Sequence, residues 1–481
     1  MTGTGATLRT SLLWFTRDLR LHDNPALQAA LREGGQVVAL YVLDDATAGR
    51  WAPGGAHRWW LHQSLTALAR DLCARGGALV LRRGDTVQQI GALIEETGAA
   101  SLHVGQPHEP WARRLVDAVE ATARTRGVAL HRHRTMLLFE PDALRTRAGG
   151  GFGVYTPFAR ACLARGVHED PLPAPAHIPC PAPPPSDCLA DWGLLPRSPD
   201  WAGGLRATWQ PGEAGAARRL DQFIGAGLPG YAEARDRPGE DATSMLSPHL
   251  HWGEMPPGKA WREASCAGGH GLHRFLAEVL WREFCAHLLW HRPELPEAPL
   301  QERFAAMPWR RDPAGLRAWQ RGRTGIPIVD AGMRQLWHIG WQHNRVRMIA
   351  ASFLTKHLLI DWRDGEAWFW DTLVDGDLAS NAAGWQWVAG SGADPAPFFR
   401  IFNPVLQGKK FDPEGRYVRR WVPELAALPD RFLHAPWELP AEVLEAAGVR
   451  LGRTYPRPVV DLAAGRRRAL AAFEALGRTA A

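Results

Sequence analysis

The hydrophobic pattern of this 481-residue chain changes once, and that change most constrains what it folds into. In the first third, short apolar runs rich in branched residues alternate with amphipathic stretches, which predicts a parallel sheet covered by helices on both faces. From about residue 206, apolar residues recur at three- and four-residue steps, which predicts helices. The predicted strands are 11–16, 36–43, 78–81, 101–104 and 128–131, and the helices between them are 25–33, 56–75, 87–97 and 111–126.

A proline-rich segment separates the two patterns. Residues 171–185 contain eight prolines in fifteen positions, which favours extended polyproline II and excludes a helix or a central strand. At about 3.1 Å per residue it spans roughly 45 Å, enough to wrap round one domain and reach another. We therefore predict an α/β domain over 1–135 with a doubly wound, Rossmann-like sheet, a connector over 136–205, and a larger all-helical domain over 206–481.

Composition excludes several classes of protein. The six cysteines are scattered with no CxxC pair, so neither a structural zinc site nor a disulfide framework is predicted, and a reducing, cytoplasmic compartment is expected. The N-terminus has no apolar run typical of a signal peptide, and no apolar run is long enough to cross a membrane.

Charge and aromatic usage are both unusual. The net charge is +6, which suits an anionic partner. Only four of the 56 basic residues are Lys, a bias that a GC-rich genome also produces. The chain has 23 Trp but 5 Tyr, and genome bias does not account for that excess.

The predicted helix 274–291 carries two sets of polar side chains. Glu278, Trp281, Arg282 and Cys285 follow i, i+3, i+4, i+7 spacing, so they share a face that suits a flat ligand with polar edges. The rival interpretation is a core Trp beside a surface ion pair. On another face lie Glu283, His287 and His291, which we interpret as solvated or capping residues, because no HExxH motif is present; no metal site is predicted.

Three further segments carry candidate ligand-binding residues. Ser247 followed by Pro248 predicts a helix N-cap and first turn, where free amides and the nearby hydroxyls of Thr243 and Ser244 suit a phosphate. In WQHNRVRM, Asn344 and Met348 lie one turn apart beside Arg347. DGDLASNAAGWQW, residues 375–387, places acids, an Asn and two Trp beside small residues that admit a planar ligand. A calcium loop is excluded there because the terminal Glu is missing.

Together these segments resemble the photolyase/cryptochrome family and, within it, the class I cyclobutane pyrimidine dimer (CPD) photolyases. The resemblance covers nearly the whole chain and is strongest between residues 324 and 425. The motifs that carry it are LLWFTRDLRLHDNP at 12–25, TGIPIVDAGMRQL, HNRVRM, DGDLASN, GWQW, FRIFNPVLQGKKFDPEG and RRWVPEL.

The resemblance implies that the helical domain holds FAD in a U shape, reduced and anionic when active. The TSMLS turn would bind the phosphates, Arg347 would pair with Asp375, and Asn381 would face flavin N5, where it cannot readily donate a proton. The residues that the resemblance assigns to FAD are Tyr231, Thr243, Ser244, Met245, Leu246, Ser247, Arg347, Asp375, Gly376, Asp377 and Asn381.

The resemblance also implies a substrate, UV-damaged DNA with a flipped-out pyrimidine dimer. The acid Glu278 would hydrogen-bond the carbonyl edge of the dimer and Trp281 would stack on it; that role requires Glu278 to be at least partly protonated. The residues assigned to catalysis are Glu278, Trp281, Asn344, Met348 and Trp387. Those assigned to DNA binding are Arg235, Glu278, Arg282, Cys285, Asn344, Arg345 and Gln407.

Trp385, Trp362 and Trp309 match the family's electron-transfer triad, which reduces the flavin after photoexcitation. A second, antenna chromophore is implied for the N-terminal domain. The segment VGQPHEPWAR, residues 104–113, does not clearly keep the polar pair of folate-binding members. Methenyltetrahydrofolate, 8-hydroxy-5-deazaflavin and no second chromophore therefore stay open.

The function that the resemblance implies is light-dependent repair of CPDs by electron transfer from photoexcited reduced FAD, a carbon–carbon lyase reaction. The alternative is a cryptochrome-type blue-light receptor. A flavin oxidoreductase that uses NAD is disfavoured because the chain lacks a dinucleotide fingerprint. We expect a monomer without membrane association, cytoplasmic and on the nucleoid when it is bound to DNA.

Overall fold

The computed structural model describes residues 9–167, 170–393 and 399–479. Its five strands form one parallel sheet in the order β3-β2-β1-β4-β5. The predicted α/β class is confirmed, and each predicted strand lies within two residues of an observed one. The strands are β1 Arg9–Phe15, β2 Gly35–Leu43, β3 Leu79–Arg83, β4 Ser101–Gly105 and β5 Ala129–His133.

Four helices cover this sheet, and their ends follow from local chemistry. Asn24 caps the first helix by accepting from Leu27 N, and Pro25 occupies its first turn. Asp85 caps the third helix in the same way. These helices are α1 Pro25–Gly34, α2 Gly55–Cys73, α3 Thr86–Thr97 and α4 Pro110–Thr125.

Burial differs between the middle and the edge of the sheet. The central strands β1 and β4 are almost wholly buried, whereas the edge strand β5 is only partly covered. In the β4–β5 register His103 lies opposite His131, and His133 follows two residues later on the same face of the sheet. Three imidazoles therefore come together on neighbouring strands.

The connector contains a helix that the sequence analysis did not predict, α5, residues 155–165. Residues 171–185 have no helix or strand and run along the first domain. Val37 N donates to Pro179 O at 2.8 Å, Ile178 N donates to Arg75 O at 2.8 Å, and the Ile178 side chain is fully buried. The extended segment thus packs against the α/β domain.

The rest of the described chain is helical; an isolated bridge between Leu451 and Tyr455 is its sole β pairing. The largest apolar core there includes Trp319, Phe353, Trp362 and Trp385. The helices are α5 Tyr155–Arg165, α6 Gly203–Thr208, α7 Glu213–Gln222, α8 Tyr231–Ala234, α9 Ser247–His251, α10 Pro257–Ala267, α11 Leu272–His291, α12 Pro313–Gln320, α13 Pro327–Ile339, α14 Asn344–Ser352, α15 Trp362–Thr372, α16 Leu378–Ala389, α17 Pro404–Phe411, α18 Arg416–Trp421, α19 Asp430–Leu433, α20 Ala441–Ala446 and α21 Leu462–Thr479.

One predicted helix, 342–357, is divided. It starts at Asn344 because His343 caps it, accepting from Arg345 N at 3.2 Å, and it continues as a turn of π-helix from Phe353 to Leu358. Among the described residues, no helix has the length and apolarity needed to cross a membrane.

Buried polar contacts join the two domains. The guanidinium of Arg20, which is buried, donates to Thr135 O at 2.7 Å and to Gly253 O at 3.0 Å. Trp60 Nε1 donates to Glu254 Oε1 at 3.0 Å. Because buried polar groups are expensive to leave unpaired, these bonds fix how the domains pack.

Candidate functional site

A cavity of about 530 Å³ opens between α11, α14 and α16. Its wall combines carboxylates, guanidinium groups, amides and indoles, and it holds most of the site residues that the sequence predicted. Those lining it are Arg235, Glu278, Trp281, Cys285, Asn344, Arg345, Arg347, Met348, Asp375, Gly376, Asp377, Asn381, Trp385 and Trp387.

In the wall of the cavity, Glu278 is already paired. Its Oε1 accepts from Arg235 Nη1 at 2.5 Å. Burial disfavours the charge of Arg235, but the nearby carboxylate outweighs burial, so the pKa of Arg235 is raised. The pair engages Oε1 of Glu278, and Oε2 is the second oxygen of the same carboxyl group.

Trp281 is held by an aromatic residue of the connector that the sequence analysis missed. The rings of Trp281 and Tyr155 stack with centroids 3.9 Å apart and planes 2° from parallel. Tyr155 Oη donates to Ala277 O at 2.9 Å, which anchors the ring to α11. The stack fixes the indole plane in the cavity wall. No sequence motif pointed to Tyr155.

Helix α14 supplies the next part of the wall. Asn344 is its first residue and Met348 lies one turn later, so both face the cavity as predicted. Arg345 pairs with Asp236 at 2.7 Å and lies over the ring of Phe411, 4.4 Å from its centroid. Arg345 and Asp236 also line a neighbouring hollow of about 460 Å³, which contains Gln407.

A second group of contacts in the cavity wall is built around Asp375. Arg347 Nη2 donates to both of its carboxylate oxygens, at 2.8 and 3.0 Å, as predicted. Ser247 Oγ donates to Asp375 Oδ2 at 2.6 Å, and Trp341 Nε1 donates to Ser247 Oγ at 3.2 Å. These bonds bring the TSMLS turn against the DGD segment.

Two residues of α16 shape the same part of the wall. Asp377 is its N-cap and accepts from Ser380 N at 2.8 Å. Asn381, one turn later and buried, donates from Nδ2 to Glu366 O at 3.1 Å. With its nitrogen engaged, Asn381 retains Oδ1 as an acceptor for a ligand in the cavity.

Asp377 also contacts the α/β domain. Its Oδ2 lies 3.3 Å from His108 Nε2, and Arg17 forms an ion pair with the buried Glu109 alongside. Burial opposes the Asp377 charge, but the hydrogen bond and charge of His108, together with the charges of His251 and Arg282, outweigh burial and hold the pKa of Asp377 well below its usual value. The pKa of His108 is raised, because Glu109 and Asp377 outweigh its burial.

Several predicted positions are corrected. Ser247 is the first helical residue rather than the N-cap; its hydroxyl is taken up by Asp375. Arg282 turns away from the cavity and donates to Met136 O at 2.8 Å and Leu250 O at 3.3 Å, so it ties α11 to the start of the connector and to α9 rather than facing DNA.

The second face of α11 is also buried rather than solvated. Glu283 accepts from Leu138 N at 2.8 Å and from Phe139 N at 3.3 Å, which ties the helix to the connector. His287 Nε2 accepts from Phe152 N at 2.8 Å. The sequence did not reveal this burial, because the groups that cover the face come from the distant connector.

The comparisons with known proteins agree with this geometry. Residues 11–176 match the family model described as DNA photolyase, and residues 275–475 match the FAD binding domain of DNA photolyase. A deoxyribodipyrimidine photo-lyase of Agrobacterium fabrum is 50% identical, covering 97% of this chain and 98% of that protein. The chain belongs to the photolyase/cryptochrome family.

Other members of the family are similar over comparable lengths. Cryptochrome-1 of Arabidopsis thaliana is 38% identical over 94% of this chain and 68% of that protein. A crystal structure of a bacterial class III photolyase from Agrobacterium tumefaciens superposes with a TM-score of 0.95 at 49% identity, covering 99% of this chain and 100% of that one. The family is confirmed, and the class I subtype is not.

Photolyases bind FAD, and the cavity provides a test of that fit. Gly384 lines the cavity, and a Cβ built there would meet nothing within 4 Å, so a planar group has room. Asn381 Oδ1 is an acceptor for an N–H at the edge of such a group, and Arg347 beside Ser247 suits a polar chain. The residues present fit a flavin dinucleotide.

The remaining predicted residues lie outside the cavity lining. Tyr231 is buried against Phe223 and Phe275, with Arg235 over its ring. In the TSMLS turn Leu246 is buried, Thr243, Ser244 and Met245 are half-buried, and Met245 has a left-handed φ of 48°. Trp362 is buried in the same core as Trp385, and Trp309 packs against that core at the protein surface.

A second cavity, of about 120 Å³, lies in the α/β domain. It opens at the carboxyl ends of β1 and β4, where the strand order reverses and ligands of such sheets bind. Its wall includes Trp14, Tyr41, Trp51, Trp111 and the His108–Glu109 pair. His108 therefore touches both this cavity and Asp377 of the larger one.

Proposed function

We propose that this protein is a deoxyribodipyrimidine photo-lyase, which repairs cyclobutane pyrimidine dimers in DNA with light. The observation that carries the proposal is that a single cavity joins two sets of residues. Glu278, Trp281 and Met348 form one set, Arg347, Asp375 and Asn381 form the other, and all six line the same cavity. A flavin held at the second set would lie against a dimer held at the first.

The second set would bind FAD through fixed polar groups. Asp375 is oriented by Arg347 and Ser247, and Asp377 by its place at the N-terminus of α16 and by His108. Asn381 would accept a hydrogen bond from flavin N5–H through Oδ1. An amide there has no acidic proton to donate, which favours the anionic reduced flavin.

The first set would hold the flipped-out dimer. Trp281 presents a rigid indole for stacking, and Met348 adds a polarisable apolar contact. Photolyases extrude their target from the duplex, and a dimer that stacks and pairs poorly is cheaper to extrude. Arg235, Arg345 and Gln407 would contact DNA around it. Arginine contacts to phosphate make binding depend on salt.

FAD held by Arg347, Asp375 and Asn381 would supply light-driven one-electron chemistry in which the electron returns after both ring carbon–carbon bonds of the dimer break, so no net redox change would result. Glu278 would stabilise the extra charge on the dimer carbonyl through a hydrogen bond. Arg235, now paired with Glu278, would move to a DNA phosphate and leave the Glu278 carboxyl free to face the dimer. The site thus orients and stabilises, and the cofactor provides the electron.

A direct assay tests the proposal. The protein is purified, loaded with FAD, reduced, mixed with an oligonucleotide containing one thymine dimer and illuminated with blue or near-UV light. We expect light-dependent recovery of thymine absorbance, none in the dark, and none with the (6-4) photoproduct in place of the dimer. Absence of recovery from a fully reduced, DNA-bound sample would refute the activity.

The alternative function is that of a cryptochrome-type light receptor. Its support is the 38% identity to an Arabidopsis cryptochrome. The illuminated assay separates the two, because a receptor would show flavin photochemistry without dimer repair. Within the photolyases, we propose class III rather than class I, supported by the 49% identity to the class III photolyase over the whole of both chains.

We propose that the second chromophore binds in the cavity at the carboxyl ends of β1 and β4. The indoles of Trp14, Trp51 and Trp111 and the polar His108 and Glu109 suit a planar conjugated ring with polar edges, of the folate or deazaflavin class. The absorption spectrum and mass of the small molecules released from purified protein would identify it. Release of FAD alone would argue against a second chromophore.

Trp385, Trp362 and Trp309 are proposed to carry an electron from the surface to the flavin. The support is their arrangement from the cavity wall, through the buried core, to a partly exposed position. We further propose that the protein acts as a monomer in the cytoplasm, on the nucleoid when bound to damaged DNA.

A further inference from the structure

The α/β domain contains a cluster of histidines and a carboxylate that the proposed repair reaction does not use. Glu33 lies near the end of α1, His103 in the middle of β4 and His131 on β5. We propose that Glu33, His103 and His131 form a binding site for a divalent transition-metal ion of the zinc class.

The spacing of the three ligand atoms supports this proposal. Glu33 Oε2 lies 3.2 Å from His103 Nε2 and 3.5 Å from His131 Nε2, and all three atoms lie within 4.8 Å of one another. Zinc binds nitrogen and oxygen ligands at about 2.0–2.2 Å, so neighbouring ligand atoms of a tetrahedral site lie roughly 3.3 Å apart. The separations of 3.2 and 3.5 Å bracket that value.

The imidazoles are held in place by the sheet. His103 and His131 lie opposite each other in the β4–β5 register, and their rings stack with centroids 5.0 Å apart. His133 Nε2 lies 3.1 Å from His103 Nδ1. A hydrogen bond from Nδ1 of a metal-bound histidine to an outer partner is usual in such sites, because it orients the ring.

The contact with His133 leaves His103 two tautomers. In one, Nε2–H donates to Glu33; in the other, Nδ1–H donates to His133, and Nε2 carries a lone pair that faces Glu33 and lies 3.2 Å from Ser101 Oγ. The second tautomer is the one that binds a metal ion between Nε2 and the Glu33 carboxylate.

The site is also accessible, and its ligand types select among metals. The side chains of Glu33 and His131 are 45% and 42% exposed, so an ion can enter and water can take the fourth position. Two imidazoles with one carboxylate suit zinc and its neighbours rather than magnesium or calcium, which prefer oxygen ligands. A bound ion would join the end of α1 to strands β4 and β5.

The test uses the full-length protein without a histidine tag, stripped of metal with a chelator and dialysed. Zinc is titrated against a colorimetric chelator, and X-ray absorption is measured on the zinc-loaded sample. We expect one equivalent of bound zinc with only nitrogen and oxygen neighbours at about 2.0–2.1 Å and an imidazole scattering pattern.

Matched variants assign the ion to the cluster. Glu33→Gln and His131→Gln should each weaken zinc binding about tenfold or more. Glu95→Gln on α3 and His177→Gln in the connector, both exposed and outside the cluster, should not change it. Circular dichroism and flavin absorbance check that every variant is folded. No stoichiometric zinc, or binding unchanged in the two cluster variants, would overturn the proposal.

Discussion

Glu278 Oε1 accepts a hydrogen bond from Arg235 Nη1 at 2.5 Å, so the proposed dimer-binding acid is engaged by a residue assigned to DNA. Both side chains line the same cavity. Binding of a DNA phosphate to Arg235 would release Glu278 toward the dimer. The proposed DNA contact and the proposed dimer contact therefore share one hydrogen bond.

This link makes a prediction for Glu278→Ala. We expect the repair quantum yield to fall roughly tenfold, the size of one lost hydrogen bond to a charged group, ~1.5 kcal/mol, while DNA affinity changes less. Repair yield per absorbed photon and DNA binding by fluorescence anisotropy measure the two effects. Glu240→Ala, at an exposed acid that pairs with Arg237, is the control. An unchanged yield in Glu278→Ala would rule out the proposed role.

A second prediction concerns the surface end of the tryptophan series. In Trp309→Phe, light-driven reduction of oxidised flavin should be lost, because phenylalanine is much harder to oxidise than tryptophan. Protein reduced chemically beforehand should still repair dimers. Transient absorption measures the first effect and the oligonucleotide assay the second. Trp437→Phe, at another half-buried indole packed on the same core, should photoreduce normally; equal loss in both variants would refute the route.

A third prediction concerns the buried ion pair between Arg17 and Glu109 of the α/β domain, beside Asp377 of the helical domain. Arg17→Met leaves the Glu109 carboxylate buried beside His108 without its guanidinium partner, which should cost about 3–5 kcal/mol of unfolding free energy. His108 contacts both Glu109 and Asp377, and Asp377 belongs to the proposed FAD site. We therefore also expect FAD to dissociate faster from this variant. Urea unfolding and flavin release check both. Arg58→Met breaks a more exposed pair with Asp45 and should change stability by at most about 1 kcal/mol.

A fourth prediction concerns acid stability. Burial lowers the pKa of His343 from its usual 6.5 to about 4, so the folded state favours the neutral ring. The stability that the neutral ring contributes is complete above pH 6.5 and is lost as the pH falls toward 4. At pH 5 the free energy of unfolding should have fallen by ~2 kcal/mol from its value at neutral pH. His343→Asn keeps an N-cap acceptor for α14 and should remove this part of the pH dependence.

Urea unfolding of wild type and His343→Asn at pH 7 and pH 5 measures this difference. His273→Asn, at an exposed histidine of α11, should retain the wild-type slope. If His343→Asn loses as much stability on acidification as the wild type, the protonation of His343 does not govern it.

Much of the site was predictable because its parts are local in sequence. Glu278, Trp281 and Cys285 share a face of α11 by helical spacing alone, and Asn344 and Met348 are one turn apart on α14. That these helices meet at one cavity was not contained in their periodicity. It came from the family resemblance and was then observed directly.

The errors have a common cause. Arg282 follows the spacing of the cavity face, yet its long side chain reaches Met136 O and Leu250 O instead. Ser247 has the sequence of an N-cap, yet Asp375, 128 residues later, takes its hydroxyl. In each case the side chain bonds to a partner that is distant in sequence. The spacing of residues along a helix does not predict such partners.

By itself the sequence determined the strands and helices, the extended connector and the residues that share a helix face, because hydrophobic periodicity and turn chemistry act over a few residues. Only the tertiary structure decided which side chains from distant segments meet. It placed Arg235 on Glu278, Tyr155 on Trp281 and Glu33 beside His103, because those contacts depend on how elements pack. The proposed chemistry rests on both.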